Sequence, residues 1–266
     1  MLERVRVRRR RPAALSWALA ACLTALCVYL ITLGVTYAPR TELPQVEGEA
    51  RVTEEVVFEP LRAYLVSLGS YATGEEARIE AARNAARGAA GYLVEEGSST
   101  LVLGALYFQA EQARAVAQNL AQSEQLEADV FARESERVRL RVTATSAQID
   151  CLRSTQAELC QTAAQMADLA LQLDRAETDA KSARTLLNVA AARLEDRERA
   201  LRAIPGAQQN TVCSGLLALV EQFRASLFVL SGENSKSTLS LSGEIKYNVI
   251  EVTLSHIGYL RDLNGL

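Results

Sequence analysis

Two similar stretches decide the fold of this 266-residue chain. Residues 65–71 read LVSLGSY and residues 101–107 read LVLGALY; the first is followed by EEAR at 75–78 and the second by EQAR at 111–114. Each copy is an apolar run that contains a Gly and leads into an Ala-rich segment without Pro. This pattern predicts a β-strand followed by an amphipathic helix, repeated once along the chain.

A further apolar run follows each predicted helix. Residues 91–94 read GYLV, and residues 126–132 read LEADVFA. Reading both runs as strands predicts the order β-α-β-β-α-β over residues 61–134, in which two helices cover one face of a four-stranded sheet. The predicted class of this part of the chain is therefore α+β, with a ferredoxin-like arrangement.

The succession LVSLGSY, EEA, GYLV, LVLGALYF and EQARAVAQNLA resembles the SPOR domain, the sporulation-related repeat of bacterial envelope proteins. The resemblance implies peptidoglycan binding, with a flat sheet face laid along glycan strands that have lost their peptide stems. The glycan-binding candidates are Ser67, Ser70, Tyr71 and Tyr107. The sequence departs from the family at Ser67, where Gln is usual, and at Val102, where the family tends to be polar or basic.

Strand alternation divides the side chains of the two apolar runs between two faces. The face under the helices is predicted to hold Val66, Leu68, Leu101 and Leu103. The open face is predicted to hold Leu65, Ser67, Gly69 and Val102. Because this open face is unusually apolar for a sugar-binding surface, contact with protein, including the chain's own second half, is an alternative to glycan.

The N-terminal residues indicate a membrane anchor. Six Arg lie in the basic tail at residues 1–12. Residues 13–38 form a segment without a charged side chain, and this segment is longer than the roughly 20 residues that a transmembrane helix needs. We therefore expect a single-pass protein of the bacterial inner (cytoplasmic) membrane, with a cytoplasmic N-terminus and its bulk outside. Signal-peptide cleavage after Ala38 and a lipobox at residues 19–22 are the alternatives, and both export the rest. An acidic linker is predicted at residues 39–60. A short strand at Val52, Val56, Val57 and Phe58, or packing of these residues against the domain, is the alternative for its second half.

A seven-residue ladder of mainly apolar side chains runs through residues 143–203, which contain no Pro. Its members are Leu152, Leu159, Met166, Leu173, Ala180, Leu187, Leu194 and Leu201. This period predicts a long coiled-coil helix. Residues 209–266 predict further helices, in a hairpin or bundle. Either these helices fold back along the long helix or the ladder pairs with another chain, and the heptad alone does not choose.

Few residues in this sequence suit catalysis. The chain has one His, His256, and it lacks a phosphate loop and a nucleophile elbow. We predict a protein that is not an enzyme and that has no cofactor or metal site. Cys151, Cys160 and Cys213 are disulfide candidates in an exported domain, with one thiol left over or paired between chains. The alternative is that the three are small buried side chains that remain thiols. The acidic balance beyond the N-terminal Arg cluster argues against nucleic acid as a partner.

Two functional hypotheses follow. The first is a non-enzymatic envelope protein of cell division or sporulation, whose SPOR-like domain binds glycan strands and whose helical tail binds a protein partner or self-associates. The second is a structural scaffold or adaptor with a SPOR-like fold that binds protein rather than glycan. The apolar residues Leu65 and Val102 favour the second hypothesis, and the layout of anchor, linker and domain favours the first.

Overall fold

The computed structural model describes residues 40–43, 50–123, 126–233 and 236–265, and these ranges contain seven strands and six helices. The strands are β1 (Arg40–Glu42), β2 (Val52–Phe58), β3 (Arg62–Tyr71), β4 (Tyr92–Glu96), β5 (Ser99–Tyr107), β6 (Asp129–Glu134) and β7 (Val138–Ala144). The helices are α1 (Gly74–Ala85), α2 (Ala110–Ser123), α3 (Ser146–Asp174), α4 (Ala180–Arg202), α5 (Thr211–Gly232) and α6 (Thr238–Asn264).

The larger sheet has four antiparallel strands in the order β4-β5-β3-β6. With α1 and α2 between the strands, this part of the chain runs β-α-β-β-α-β. α1 begins after Thr73, whose Oγ1 accepts a hydrogen bond from the N–H of Glu76 at 3.3 Å and so satisfies a free donor of the first turn. The pairing of β3 with β5 contains register shifts on both sides of Ser67.

A second sheet uses residues that the sequence assigned to the acidic linker at 39–60. β1 and β2 pair with opposite edges of β7, which gives the order β1-β7-β2. Val56 pairs with Leu140 and Phe58 pairs with Val138, and all four side chains are buried. The linker prediction is wrong at these strands because β2 pairs with residues far along the chain. Pairing between distant segments leaves little trace in the sequence of either segment.

The predicted coiled-coil helix at 143–203 is divided into two helices. α3 ends at Asp174, Ala176 has a φ of 54°, and α4 begins after Asp179, whose side chain accepts a hydrogen bond from the N–H of Ser182 at 2.7 Å. The chain reverses here, so α3 and α4 pack against each other. The prediction is wrong because a heptad ladder suits an antiparallel bundle as well as a long coiled coil.

α3, α4, α5 and α6 form a four-helix bundle in which each helix packs against its two neighbours. One hydrophobic core runs through this bundle and continues onto both sheets. The ladder residues Leu152, Leu194 and Leu201 are buried in that core. The overall class is α+β with two sheets. The predicted fold, which combined a small α+β domain with a long coiled-coil helix, is wrong because the described residues contain a helical bundle and no long coiled coil.

The predicted basic tail (1–12) and transmembrane helix (13–38) lie outside the described residues. Within the described ranges, the one helix that is long and apolar enough to cross a membrane is α5, near the C-terminus. Its most apolar window has a mean hydropathy of 1.4 and is 44% buried inside the protein. This finding contradicts the predicted localisation, in which a single N-terminal span anchors the chain. Burial of one side of α5 in the bundle core accounts for its apolar composition.

Candidate functional site

α1 and α2 cover one face of the larger sheet. On this face Val66 and Leu68 of β3 pack beneath α2, and Val102 of β5 packs beneath α1. Strand alternation placed Val102 on the opposite face, so that assignment is wrong. β5 is apolar on both faces, and the register shifts beside Ser67 change how it meets β3, so alternation could not identify its two sides.

The opposite face of the larger sheet is covered by the helical bundle. Leu65 and Leu103 share a core with α3 and α6 and are 1% and 0% exposed. Leu103 and Leu101 were predicted to lie beneath α1 and α2, and they lie here instead. The Tyr92 ring of β4 lies 4.9 Å, centroid to centroid, from the Tyr247 ring of α6. The face that the SPOR resemblance implies for glycan is therefore occupied by this chain's own helices.

The four glycan-binding candidates do not form one surface. Ser67 is buried, and its Oγ donates to the carbonyl oxygen of Gly69 at 3.3 Å. Ser70 is exposed at the end of β3, whereas Tyr71 is half-buried against α1, where burial raises the pKa of its hydroxyl. Tyr107 is 1% exposed in the core beneath α2. Of the four side chains, Ser70 and part of Tyr71 are accessible to a partner in solution.

The three cysteines considered for a disulfide are free thiols. Cys151 and Cys160 are half-buried in α3, and Cys213 is buried in α5. Burial raises the pKa of the Cys160 thiol to about 11. Burial raises the pKa of Cys213 to about 12, and the nearby Cys151 adds to this shift. A protonated thiol is a poor nucleophile, so these side chains are not activated at neutral pH.

His256 joins two helices of the bundle. It is 2% exposed on α6, and its Nε2 lies 2.8 Å from Oε1 of Gln156 on α3. Burial lowers the pKa of His256 to about 4, so the imidazole is neutral at physiological pH. Within the described ranges, no group of three or more His, Cys, Asp or Glu side chains could hold a metal ion.

The free energy of unfolding is expected to fall through His256 as the pH is lowered from 6.5 to 4. The unfolded chain takes up this proton near pH 6.5, whereas the folded chain resists it until about pH 4. The contribution of neutral His256 to the free energy of unfolding is therefore complete above pH 6.5. Between pH 6.5 and pH 4 this contribution falls by at most about 1.4 kcal/mol per pH unit. Urea unfolding at several pH values measures this slope, and His256→Asn is the non-titrating control. An unchanged slope in the variant would contradict the prediction.

An exposed apolar surface occurs on the antiparallel pair of α4 and α5. Phe228 and Val229 are 61% and 55% exposed on α5, and Leu186 and Val189 are 48% and 50% exposed on α4. Phe228 and Val229 line one groove with Lys181, Thr185 and Asn188 of α4, and we define the hairpin face as these five residues. Leu186 and Val189 do not line this groove. The heptad ladder did not predict this face, because the ladder identifies the buried side of α4.

Ion pairs hold α4 against α5 beneath the hairpin face. Glu198 accepts hydrogen bonds from Arg202 at 3.0 Å and from Arg224 at 2.5 Å. Burial would raise the pKa of Glu198, but the hydrogen bonds from the two guanidinium groups outweigh it and lower the pKa. At the other end, Arg184 donates to the carbonyl oxygen of Glu233 at 3.0 Å. The exposed apolar side chains therefore stand on a firmly connected pair of helices.

Comparisons of the chain with family models, with curated proteins and with solved structures find no match. The relation to the SPOR domain is therefore a resemblance of residues and stays a prediction. The candidate surfaces are defined by this chain's own geometry, namely a sheet face that is covered and a hairpin face that is not.

Proposed function

We propose that this chain is a non-enzymatic scaffold that binds protein rather than glycan, and that its hairpin face binds a second copy of the chain. The observation that supports the first part is the covered sheet face, where Leu65 and Leu103 are 1% and 0% exposed beneath the bundle. Glycan binding by this face would require α6 to detach from the sheet. The SPOR-like sheet then serves as an internal platform for the bundle.

Two adjacent exposed apolar side chains, Phe228 and Val229, support binding by the hairpin face. Single exposed apolar residues are common on protein surfaces, but adjacent large ones favour an interface. Phe228 is 61% exposed beside a groove between α4 and α5, and Thr185 and Asn188 line this groove. In a two-fold pair the same patch is used by both copies, so each copy can place its Phe228 ring in the groove of the second copy.

Charges along α4 favour an antiparallel pairing of the two copies. Asn188 lies seven residues from Lys181 and seven residues from Glu195, on the exposed side of the helix, where Glu195 also pairs with Arg199 at 3.1 Å. A two-fold axis through Asn188 therefore sets Lys181 of each copy beside Glu195 of the second copy, about 10 Å along the helix from the axis. The axis also pairs Asn188 with Asn188 of the second copy, and side-chain amides donate and accept hydrogen bonds at once.

Light scattering tests this pairing on the full-length chain. The wild-type protein is expected to have the mass of two chains. Phe228→Glu is expected to raise the dissociation constant about tenfold or more, because a carboxylate replaces a ring at the centre of the contact. Lys181→Glu is expected to weaken the dimer, and Glu195→Lys added to it is expected to restore the dimer.

Ile79→Glu is the matched control for the change at Phe228. Ile79 is 56% exposed on α1 and lies outside the hairpin face. Its replacement introduces the same carboxylate at a similarly exposed apolar site, so the mass should stay that of two chains. A monomeric wild-type chain, or equal dissociation by Ile79→Glu, would count against self-association through the hairpin face.

A further inference from the structure

A cavity of about 350 Å³ lies on the helix-covered side of the larger sheet. Its floor is formed by β3 and β5, its sides by α1 and α2, and it is closed by the end of α3 and the start of α6. The floor includes Gly104 and Ala105. Gly104 leaves room for the Leu68 side chain, whose Cδ1 would lie 2.8 Å from a Cβ atom at this position. The volume lies at the lower end of the range for pockets that bind small molecules.

Much of the cavity wall is aliphatic. The aliphatic lining residues are Val66, Leu68, Val116, Leu120, Leu126 and Leu171. Apolar groups leave water favourably for such a wall, so the body of a ligand here is expected to be a hydrocarbon.

Two buried polar side chains line the same cavity without a partner. Asn84 is 5% exposed and Tyr107 is 1% exposed. No hydrogen bond joins the Asn84 amide or the Tyr107 hydroxyl to another group within the part of the chain that the structure describes, and neither is among its fully enclosed unpartnered atoms. Both groups therefore open onto the cavity, where a bound molecule can replace the water that would otherwise partner them. Burial, with Asp174 nearby, raises the pKa of Tyr107, and its hydroxyl therefore remains a donor.

The rim of the cavity is positively charged. Arg87 and Arg175 are exposed there. Nη1 of Arg175 lies 3.8 Å from the Glu177 carboxylate and forms an ion pair with it. Asp174 is the acidic side chain in the described lining, and it already pairs with Lys246 Nζ at 2.8 Å. The two arginines therefore give the entrance a field that attracts an anion.

We propose that this cavity binds an amphipathic carboxylate whose aliphatic part lies on the wall beneath α2. The Asn84 amide and the Tyr107 hydroxyl donate hydrogen bonds to the carboxylate, and Arg87 and Arg175 attract its charge. A neutral alcohol of the same length lacks that charge, and a quaternary ammonium is repelled. The bound molecule would contact the larger sheet and the end of α3 at once, so it would join the SPOR-like part to the bundle.

Native mass spectrometry of the full-length chain tests this proposal with three probes of equal chain length. The probes are dodecanoate, dodecanol and dodecyltrimethylammonium. One dodecanoate is expected to bind per chain, with an affinity about tenfold higher than that of either other probe. Equal adducts with the three probes, or no adduct with dodecanoate, would overturn the proposal.

Variants of the cavity locate the binding. Tyr107→Phe removes one hydroxyl and keeps the ring, and it is expected to lower the dodecanoate affinity about tenfold. Val116→Trp fills the cavity and should abolish the adduct. Arg175→Glu should also weaken it, whereas Arg78→Glu, at an exposed α1 position outside the lining, is the matched control. An affinity unchanged by Tyr107→Phe would refute the site even if Val116→Trp fails to fold.

Discussion

Gly243→Ala is expected to lower the free energy of unfolding by about 1 to 3 kcal/mol, although Ala is the better helix former. A Cβ atom on Gly243 of α6 would lie 2.8 Å from the carbonyl oxygen of Ala89 and 3.4 Å from the carbonyl carbon of Gly88. A backbone carbonyl cannot rotate aside as a side chain can, so α6 and the α1–β4 loop must move apart. The loss of packing between α6 and this loop then outweighs the gain in helix propensity.

Gly258→Ala is the matched control, because it makes the same substitution in the same helix. Apart from its chain neighbours and the backbone of its own helix turn, no atom of the described residues lies within 4 Å of the Cβ position at Gly258. The added methyl group is therefore expected to stabilise the protein by up to about 1 kcal/mol. Urea unfolding followed by circular dichroism compares the two variants. If Gly243→Ala stabilised the protein as well, close contact between α6 and the α1–β4 loop would be contradicted.

The strands β3 and β5 illustrate what a local pattern can and cannot predict in this chain. Apolar runs that contain Gly, followed by Ala-rich segments, indicate where a strand and a helix lie because both signals depend on neighbouring residues. The face to which each side chain points depends on the pairing partner. Val102 was assigned to the wrong face because β5 is apolar throughout and register shifts beside Ser67 alter the pairing.

The helical half was mispredicted for a related reason. A seven-residue ladder identifies the side of a helix that will be buried, but it does not identify the partner or the point at which the chain reverses. Asp179 is a good N-cap residue, yet it lies inside an otherwise helical pattern, where one capping residue is a weak signal. β1 was not predicted, and β2 was predicted only as an alternative to the linker, because their partner, β7, is distant in sequence.

The candidate sites were harder to predict than the secondary structure because they are assembled from several elements. The cavity is lined by residues from β3, β5, α1, α2, α3 and α6, so no single window of sequence contains it. Asn84 resembles an ordinary polar residue at the end of a helix until the packing around it is known. The hairpin face likewise requires knowledge that α4 and α5 are neighbours, after which the exposure of Phe228 and Val229 identifies it.

Leu103→Ala is expected to lower the free energy of unfolding by about 2 to 5 kcal/mol, because it opens a cavity between the larger sheet and the bundle. Leu103 is fully buried and shares its core with α3 and α6. If this sheet face bound glycan, Leu103 would be accessible to sugar. Its truncation would then cost little stability and would weaken binding to the cell wall.

Two measurements on the full-length chain separate these readings of the sheet face. The first is urea unfolding, in which Ile79→Ala at a 56% exposed site is expected to change stability by no more than about 0.5 kcal/mol. The second is co-sedimentation with cell-wall sacculi whose peptide stems have been removed by an amidase. If the chain is a scaffold with a covered sheet face, Leu103→Ala should lower the free energy of unfolding in urea. In the co-sedimentation experiment, the wild-type protein should then stay in the supernatant. Wild-type pelleting that weakens in Leu103→Ala, without a large loss of stability, would instead assign the sheet face to glycan.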